Sequence, residues 1–247
     1  MIEKDNVSVE VDYLVKTFGN FTAVDGISFS VNRGEIFGLI GPNGAGKTTT
    51  IRILCGILEP TKGKVNVEGF DVYNESDKIK EIIGYMSQRF SLYNDLTVEE
   101  NINFYGGIHN IEKEKLDEKK RWILNMAGLF GKENILTSEL SGGWKQRLAL
   151  GCAIIHNPKV LFLDEPTAGV DPISRRDFWD LIRTLSKAKT TVFVTTHYMD
   201  EVEYCDRVSL MYNGKLIAIG KPKELKNKYK KNSLEELFVD LIRKCER

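Results

Sequence analysis

Gly41-Pro42-Asn43-Gly44-Ala45-Gly46-Lys47-Thr48-Thr49 follows the short apolar run from Glu35 to Ile40 and opens a stretch in which Ile51, Leu54 and Leu58 recur at helical spacing, until Gly56 and Pro60 break it. The octet from Gly41 to Thr48 fits G-x-x-x-x-G-K-[ST], and strand, loop, helix is the context that pattern requires. Its glycines let the backbone wrap closely enough for N–H groups to point at phosphate oxygens. The helix N-terminus adds partial positive charge, Lys47 neutralises β- and γ-phosphates, and the Thr48 hydroxyl is suited to ligating magnesium. The loop identifies a nucleotide phosphate as ligand without saying what the nucleotide drives.

Outward from the loop, Val7, Val9, Val11 and Tyr13 alternate at period two, as do Ile27, Phe29 and Val31, and Val65 and Val67 continue an antiparallel β layer. Ile82 to Met86 reads as a strand leading to Gln88. Thr97 with Glu100 forms a capping-box pattern, and Glu112 to Phe130 is an amphipathic stretch with Leu116, Ile123, Met126 and Leu129 on its apolar side. Val160 to Leu163 and Thr191 to Thr195 are compact strands separated by a helix around Ile173 to Lys187, the alternation of a parallel sheet covered by helices. Asn213-Gly214 marks a two-residue hairpin, and a last helix starts at Ser233 with Leu234, Leu237, Phe238, Leu241 and Ile242 on one face. The expected fold is α/β, a P-loop NTPase core with a mostly parallel sheet, an antiparallel β subdomain and a helical subdomain. One domain is expected over residues 1–247: an ATP-binding core from 1–89 and 156–220, a helical subdomain at 90–155 and a C-terminal helical tail at 221–247.

Lysine plus arginine and aspartate plus glutamate each number 35, so net charge offers no bulk attraction to nucleic acid or an anionic membrane, and no nucleic-acid partner is expected. Cys55, Cys152, Cys205 and Cys245 show no CxxC or metal spacing and read as reduced structural thiols of a cytosolic protein. The opening MIEKDNVSVE has no apolar core of a signal peptide, and no run approaches the roughly 20 apolar residues that span a bilayer. Work at a membrane would need another protein as anchor.

Val160-Leu-Phe-Leu-Asp164-Glu165 carries four apolar residues into two acids. The strand end would hold Asp164 near a magnesium ion and Glu165 where it can polarise water for attack on the γ-phosphate. Leu140-Ser141-Gly142-Gly143-Trp144-Lys145-Gln146-Arg147 ends a loop and begins a helix, a second anion-binding N-terminus in a chain that already has one cradle. The spare half-site suggests a second nucleotide, shared between two subunits.

These last residues resemble the signature motif of the ABC ATPase family, which stands about 20 residues before the acidic strand, as it does here. The order of phosphate loop, Gln88, signature, acidic strand, Asp171 and His197 is similar to that family over nearly the whole chain. The resemblance implies that Gln88 touches Mg2+ or the attacking water, that His197 donates to the γ-phosphate, and that Asp171 in Ala168-Gly-Val-Asp171 lies along a dimer seam. It implies that Phe18 stacks on adenine with Val24 beside it, and that ATP and Mg2+ are the cofactors. Trp144 departs from the family's usual glutamine at the fifth signature position. Gln88-Arg-Phe-Ser-Leu-Tyr93 and the tail Ser233-Leu-Glu-Glu-Leu-Phe238 resemble the ATP-binding subunits of ABC-2-type exporters, including multidrug and antibiotic-resistance exporters. That branch implies a second ATP-binding subunit, an identical copy, and an integral membrane permease whose cytoplasmic helix docks near Gln88 to Tyr93, over Phe90, Leu92 and Tyr93. It implies a peripheral location at the cytoplasmic face of the cell membrane. The alternative, a soluble ABC protein acting on ribosomes or DNA, usually carries tandem cores, long coiled coils or a basic linker, and this chain shows one core, no sustained heptads and no basic block.

Overall fold

The computed structural model describes residues 6–88 and 91–246. Strands β1 (Val7–Phe18) and β2 (Phe21–Asn32) form an antiparallel hairpin. After β3 (Ile36–Ile40) and helix α1 (Lys47–Leu54), β4 (Lys62–Val67) joins the other edge of β1, and the short β5 (Phe70–Asp71) closes a sheet of order β2-β1-β4-β5. Val9 and Val11 point inward as their alternation predicts, but Tyr13 does not. The register slips between Val11 and Leu14, Tyr13 adopts a left-handed φ of 49° and is 63% exposed, and Leu14 takes its place in the core. A β-bulge inserts the extra residue, which a strict period of two misses.

Helix α2 (Ser76–Ile82) follows, and β6 (Ile83–Met86) is the edge of a second sheet. Ile82 ends the helix rather than starting the strand. Helices α3 (Val98–Ile108), α4 (Lys113–Ala127) and α5 (Gly142–Ile154) come next, then β7 (Val160–Asp164), α6 (Pro172–Lys187), β8 (Thr191–Thr196), β9 (Arg207–Tyr212), β10 (Lys215–Gly220), α7 (Pro222–Tyr229) and α8 (Leu234–Cys245). The second sheet has the order β10-β9-β3-β8-β7-β6 and is parallel except for β10. Every residue of β3, β7 and β8 is buried, as expected for parallel strands covered on both faces. Their C-terminal ends deliver the phosphate loop, Asp164 and Thr196 to one rim. Asn213 (φ 45°) and Gly214 (φ 77°) make the tight turn between β9 and β10.

Three apolar clusters hold these layers. One joins the two sheets around Phe29, Phe37 and Phe193, with α1 packed among them. A second lies on the opposite face of the parallel sheet, where Phe178, Trp179 and Ile182 of α6 meet α5 and the apolar face of α8. The third belongs to α3, α4 and α5, with Ile102, Ile123 and Leu148 fully buried. Thr97 starts α3 with the reciprocal hydrogen bonds of a capping box. Leu116 and Met126 are only half-buried, and Leu124 and Ala127 complete the buried side of α4. Cys55, Cys152 and Cys205 are buried free thiols, whereas Cys245 is exposed at the end of α8 and fills no core position. Among the described residues, no helix is long and apolar enough to cross a membrane.

Candidate functional site

Two glycines shape the phosphate loop by having no side chain. A Cβ on Gly41 would lie 2.3 Å from the Met211 carbonyl oxygen, and one on Gly46 would lie 2.4 Å from that of Ala23, at a φ of 109°. The backbone therefore curls tightly from β3 into α1, whose N-cap, Gly46, supplies no side-chain cap. The first-turn N–H groups of α1 are free for an external anion.

Lys47 is 4% exposed. Its Nζ donates to the carbonyls of Gly41 (2.8 Å) and Pro42 (3.1 Å) and pairs with Glu165 Oε1 at 3.0 Å. The Asp164 carboxylate accepts from Thr195 Oγ1 (2.6 Å) and Thr48 Oγ1 (3.2 Å). Burial pushes its pKa above the ordinary carboxylate value, and the two hydroxyl bonds oppose the rise. A hydroxyl and a carboxylate converging this way offer only oxygen ligands, the set that a hard divalent cation sharing its shell with phosphates and water takes. Among the described residues there is no cluster of three or more acidic, His or Cys side chains placed to hold a metal ion.

Glu165 stands one residue past the end of β7 in a left-handed conformation, φ 48°, which turns its carboxylate away from the strand direction. Such a backbone costs a non-glycine residue of order 1 kcal/mol and persists where surroundings fix it. Here they do: besides Lys47, Glu165 Oε2 meets Gln88 Nε2 at 3.2 Å and His197 Nδ1 at 3.1 Å. Gln88 follows β6 and His197 follows β8, so three parallel strands aim their exits at one carboxylate.

A cavity of about 440 Å³ opens over this group, lined by Asn43, Gly44, Gly46 to Thr49, Gln88, Glu165, Ala23 and Phe21. Phe21 is not among the residues expected here from sequence. Phe18 is its cross-strand partner at the hairpin tip but is not among the lining residues; it is half-exposed, with Lys16 Nζ 5.0 Å from its ring centroid. Val24 is wholly buried in the core.

Ser141, Gly142, Gly143 and Asp171 are not in the lining of this cavity. Ser141 and Gly142 are exposed at the start of α5, and the Ser141 hydroxyl only caps its own helix, accepting from Trp144 N at 3.5 Å. Gly143 packs so closely on α6 that a Cβ would come within 2.5 Å of Ser174 Oγ. Trp144 is half-buried, with Lys132 Nζ 4.7 Å above its ring. Gln146 ties this turn to the segment that leaves β7, donating to the Pro166 carbonyl at 2.7 Å. Asp171 caps α6, accepting from Ile173 N and Ser174 N at 3.0 Å, and these bonds hold its pKa below the ordinary value.

The sequence matches the ABC transporter family over residues 24–168. It is 48% identical over 242 residues to the probable multidrug ABC transporter ATP-binding protein YbhF of Escherichia coli (strain K12), covering 95% of this chain and 41% of that protein. This chain thus spans well under half the length of that relative. It is 37% identical over 235 residues to the linearmycin resistance ATP-binding protein LnrL of Bacillus subtilis (strain 168), covering 95% of this chain and 76% of that one. Among solved structures, a dimeric ATP-binding cassette in a post-hydrolysis state with ADP and Pi superposes with a TM-score of 0.78 at 26% identity, over 86% of this chain and 98% of that one. A phosphate loop facing an acid pair, a second helix N-terminus held apart from it and these matches lead to one conclusion: the chain belongs to the ABC transporter family, as an ATP-binding and ATP-hydrolysing domain.

Proposed function

We propose that two copies of this chain close face to face on two ATP molecules, the phosphate loop of each roofed by the Ser141 turn of the other, and that this closure drives export through an integral membrane permease. The observation that carries the reading is the exposure of Ser141 and Gly142 outside the chain's own cavity. An anion-binding helix start that cannot serve its own nucleotide suits a neighbour's. The dimeric neighbour with ADP and Pi supports the same arrangement.

Within each half, the loop amides and Lys47 hold the phosphates, and Thr48, Asp164 and Gln88 would hold Mg2+, which would offset phosphate charge. Glu165 takes a proton from the attacking water once the γ-phosphate draws Lys47 away from it, and His197 donates to that phosphate. Asp171 runs along the seam. Adenine stacks at the hairpin tip, where Phe21 reaches the cavity that Phe18 and Val24 do not. The stretch 90–155 acts as an arm that carries Ser141, hinged on a core made of 1–89 and 156–220, with 221–247 as a supporting tail.

Export is supported by the names of the relatives, one tied to multidrug transport and one to linearmycin resistance. The permease would dock at the cytoplasmic face near Gln88 to Tyr93, over Leu92 and Tyr93, where Tyr93 meets Phe104 of α3 edge to face at 4.6 Å and both rings are partly exposed. Phe90, expected in the same groove, lies outside the described residues. Glu165→Gln with saturating ATP and Mg2+ should run as a dimer by light scattering, and a persistent monomer contradicts the closure. Purification from membranes in detergent should bring an integral membrane protein with the chain, and recovery with ribosomes or DNA instead contradicts export.

A further inference from the structure

Glu201 is a fully buried carboxylate that the chemistry above does not use. It sits in the 3-10 turn Met199–Tyr204, four residues beyond His197. Its Oε1 accepts a hydrogen bond from the buried hydroxyl of Thr167, two residues beyond Glu165, and lies 3.7 Å from Arg175 Nε. Arg175 belongs to the first turn of α6, which Asp171 caps. The same guanidinium donates to Asp200 Oδ2 at 3.3 Å and stacks 4.2 Å above the ring of Tyr198, which is packed 4.1 Å from the His197 ring. Three segments thus meet on one acid: the turn leaving β7 after the base, the start of α6, and the loop that carries His197.

Stability is a poor reason for this arrangement. Glu201 Oε2 and Arg175 Nε are both buried without a hydrogen-bond partner among the described residues. Unpartnered buried polar atoms cost about 1–3 kcal/mol each, and apolar side chains of similar volume would usually do as well or better. What the pair supplies is direction. His197 leaves β8 with Glu165 holding its ring on one side; on the other, Tyr198 is pinned by Arg175 and the turn behind it by Thr167.

We propose that Glu201 and Arg175 are positioning residues for ATP hydrolysis, a buried clamp that keeps His197 in register with Glu165 and ties both to the α6 start at Asp171. Misplacing a reacting group by about 1 Å can cost about 10²-fold in rate. Glu201→Gln keeps the shape and an acceptor for Thr167 but removes the charge facing Arg175.

The test is ATPase turnover of the full chain with Glu201→Gln, His197→Ala and the double variant, alongside KM for ATP and thermal stability. The proposal expects Glu201→Gln to lower kcat about tenfold or more with KM within about threefold of wild type. In the His197→Ala background it should cost less than about twofold further, because it acts through that histidine. Arg175→Lys, which keeps the charge but loses the flat stack on Tyr198, should show the same split. It serves in place of Glu201→Gln if that variant does not fold. Full turnover in Glu201→Gln, or an equal loss with and without His197, overturns the proposal; so does a rise in KM or a loss of stability that accounts for the whole effect.

Discussion

Helices α1 and α5 both begin at glycine-containing turns, and they differ in what surrounds them. At the start of α1 the fold closes in: Lys47 has three oxygen partners, Asp164 has two hydroxyl donors, and glycines bring the backbone to van der Waals limits. At the start of α5 the side facing outward is bare, and only the inner side is fixed, by Gly143 against Ser174 and Gln146 on Pro166. One turn is finished by its own chain; the other is fixed on its inner side and exposed outward, and in the proposed dimer it completes a neighbour's site. The two should therefore fail differently when altered.

The sharpest contrast comes from Glu165→Gln. Turnover should fall about 10²–10⁴-fold, the range of a positioned general base, while equilibrium ATP binding persists. Turnover close to wild type would remove Glu165 as base. Ser141→Ala should lower turnover about 10²-fold, as loss of one oriented donor does, yet leave ATP binding by the monomer unchanged because Ser141 does not line its own cavity. Weakened monomer binding would erase the distinction between the two turns. Lys47→Ala should do the opposite, weakening ATP binding about 10- to 100-fold in the monomer by isothermal titration. Equal affinity in the variant would mean the cradle binds without its cation.

Smaller effects probe the arm that carries the second turn and its join to the core. His156 Nε2 bonds the Ile83 carbonyl at 2.9 Å, and its ring stacks at 3.7 Å on His109, the C-cap of α3. Burial lowers the His156 pKa from 6.5 to about 4, assisted by the neighbouring His109. Between those values the unfolded chain binds the proton first, so the stability from neutral His156 is full above 6.5 and is lost as pH falls toward 4. The melting temperature should drop through that window, and His156→Gln should flatten the drop; an unchanged slope would exclude this residue. Thr97→Ala breaks the capping box of α3 and should cost about 1 kcal/mol in urea unfolding, with turnover per folded molecule unchanged.

Much of this was legible in the residues. The phosphate loop, the acid pair after Val160–Leu163, the capping box, the Asn213-Gly214 hairpin and the apolar face of α8 each carry a local physical rule, and each forms where that rule puts it. The convergence of Gln88, Glu165 and His197 is different in kind. They are far apart in sequence, and only the parallel order of β6, β7 and β8 brings them together, so family likeness rather than spacing pointed to it. Tyr13 escaped because a bulge reverses the facing that alternation implies, and Phe21 because it pairs with Phe18 across the hairpin tip, where only the placement of the tip over the phosphate loop decides which ring reaches the cavity. Helix α2 was missed because its seven residues bury only Ile79, too little for a periodic signal. Glu201 and Arg175 gave no sign, since a buried charge pair is written in tertiary contacts alone.

Mixed dimers offer the most direct test. Pair a chain carrying Glu165→Gln with one carrying Ser141→Ala. If each nucleotide is enclosed by one chain's phosphate loop and the other's Ser141 turn, both lesions fall in a single site, the second site is intact, and about half of wild-type turnover should survive. Putting both changes in one chain opposite a wild-type partner should damage both sites and abolish it. Activity in the second pairing and none in the first would mean that each chain completes its own site, contradicting the account.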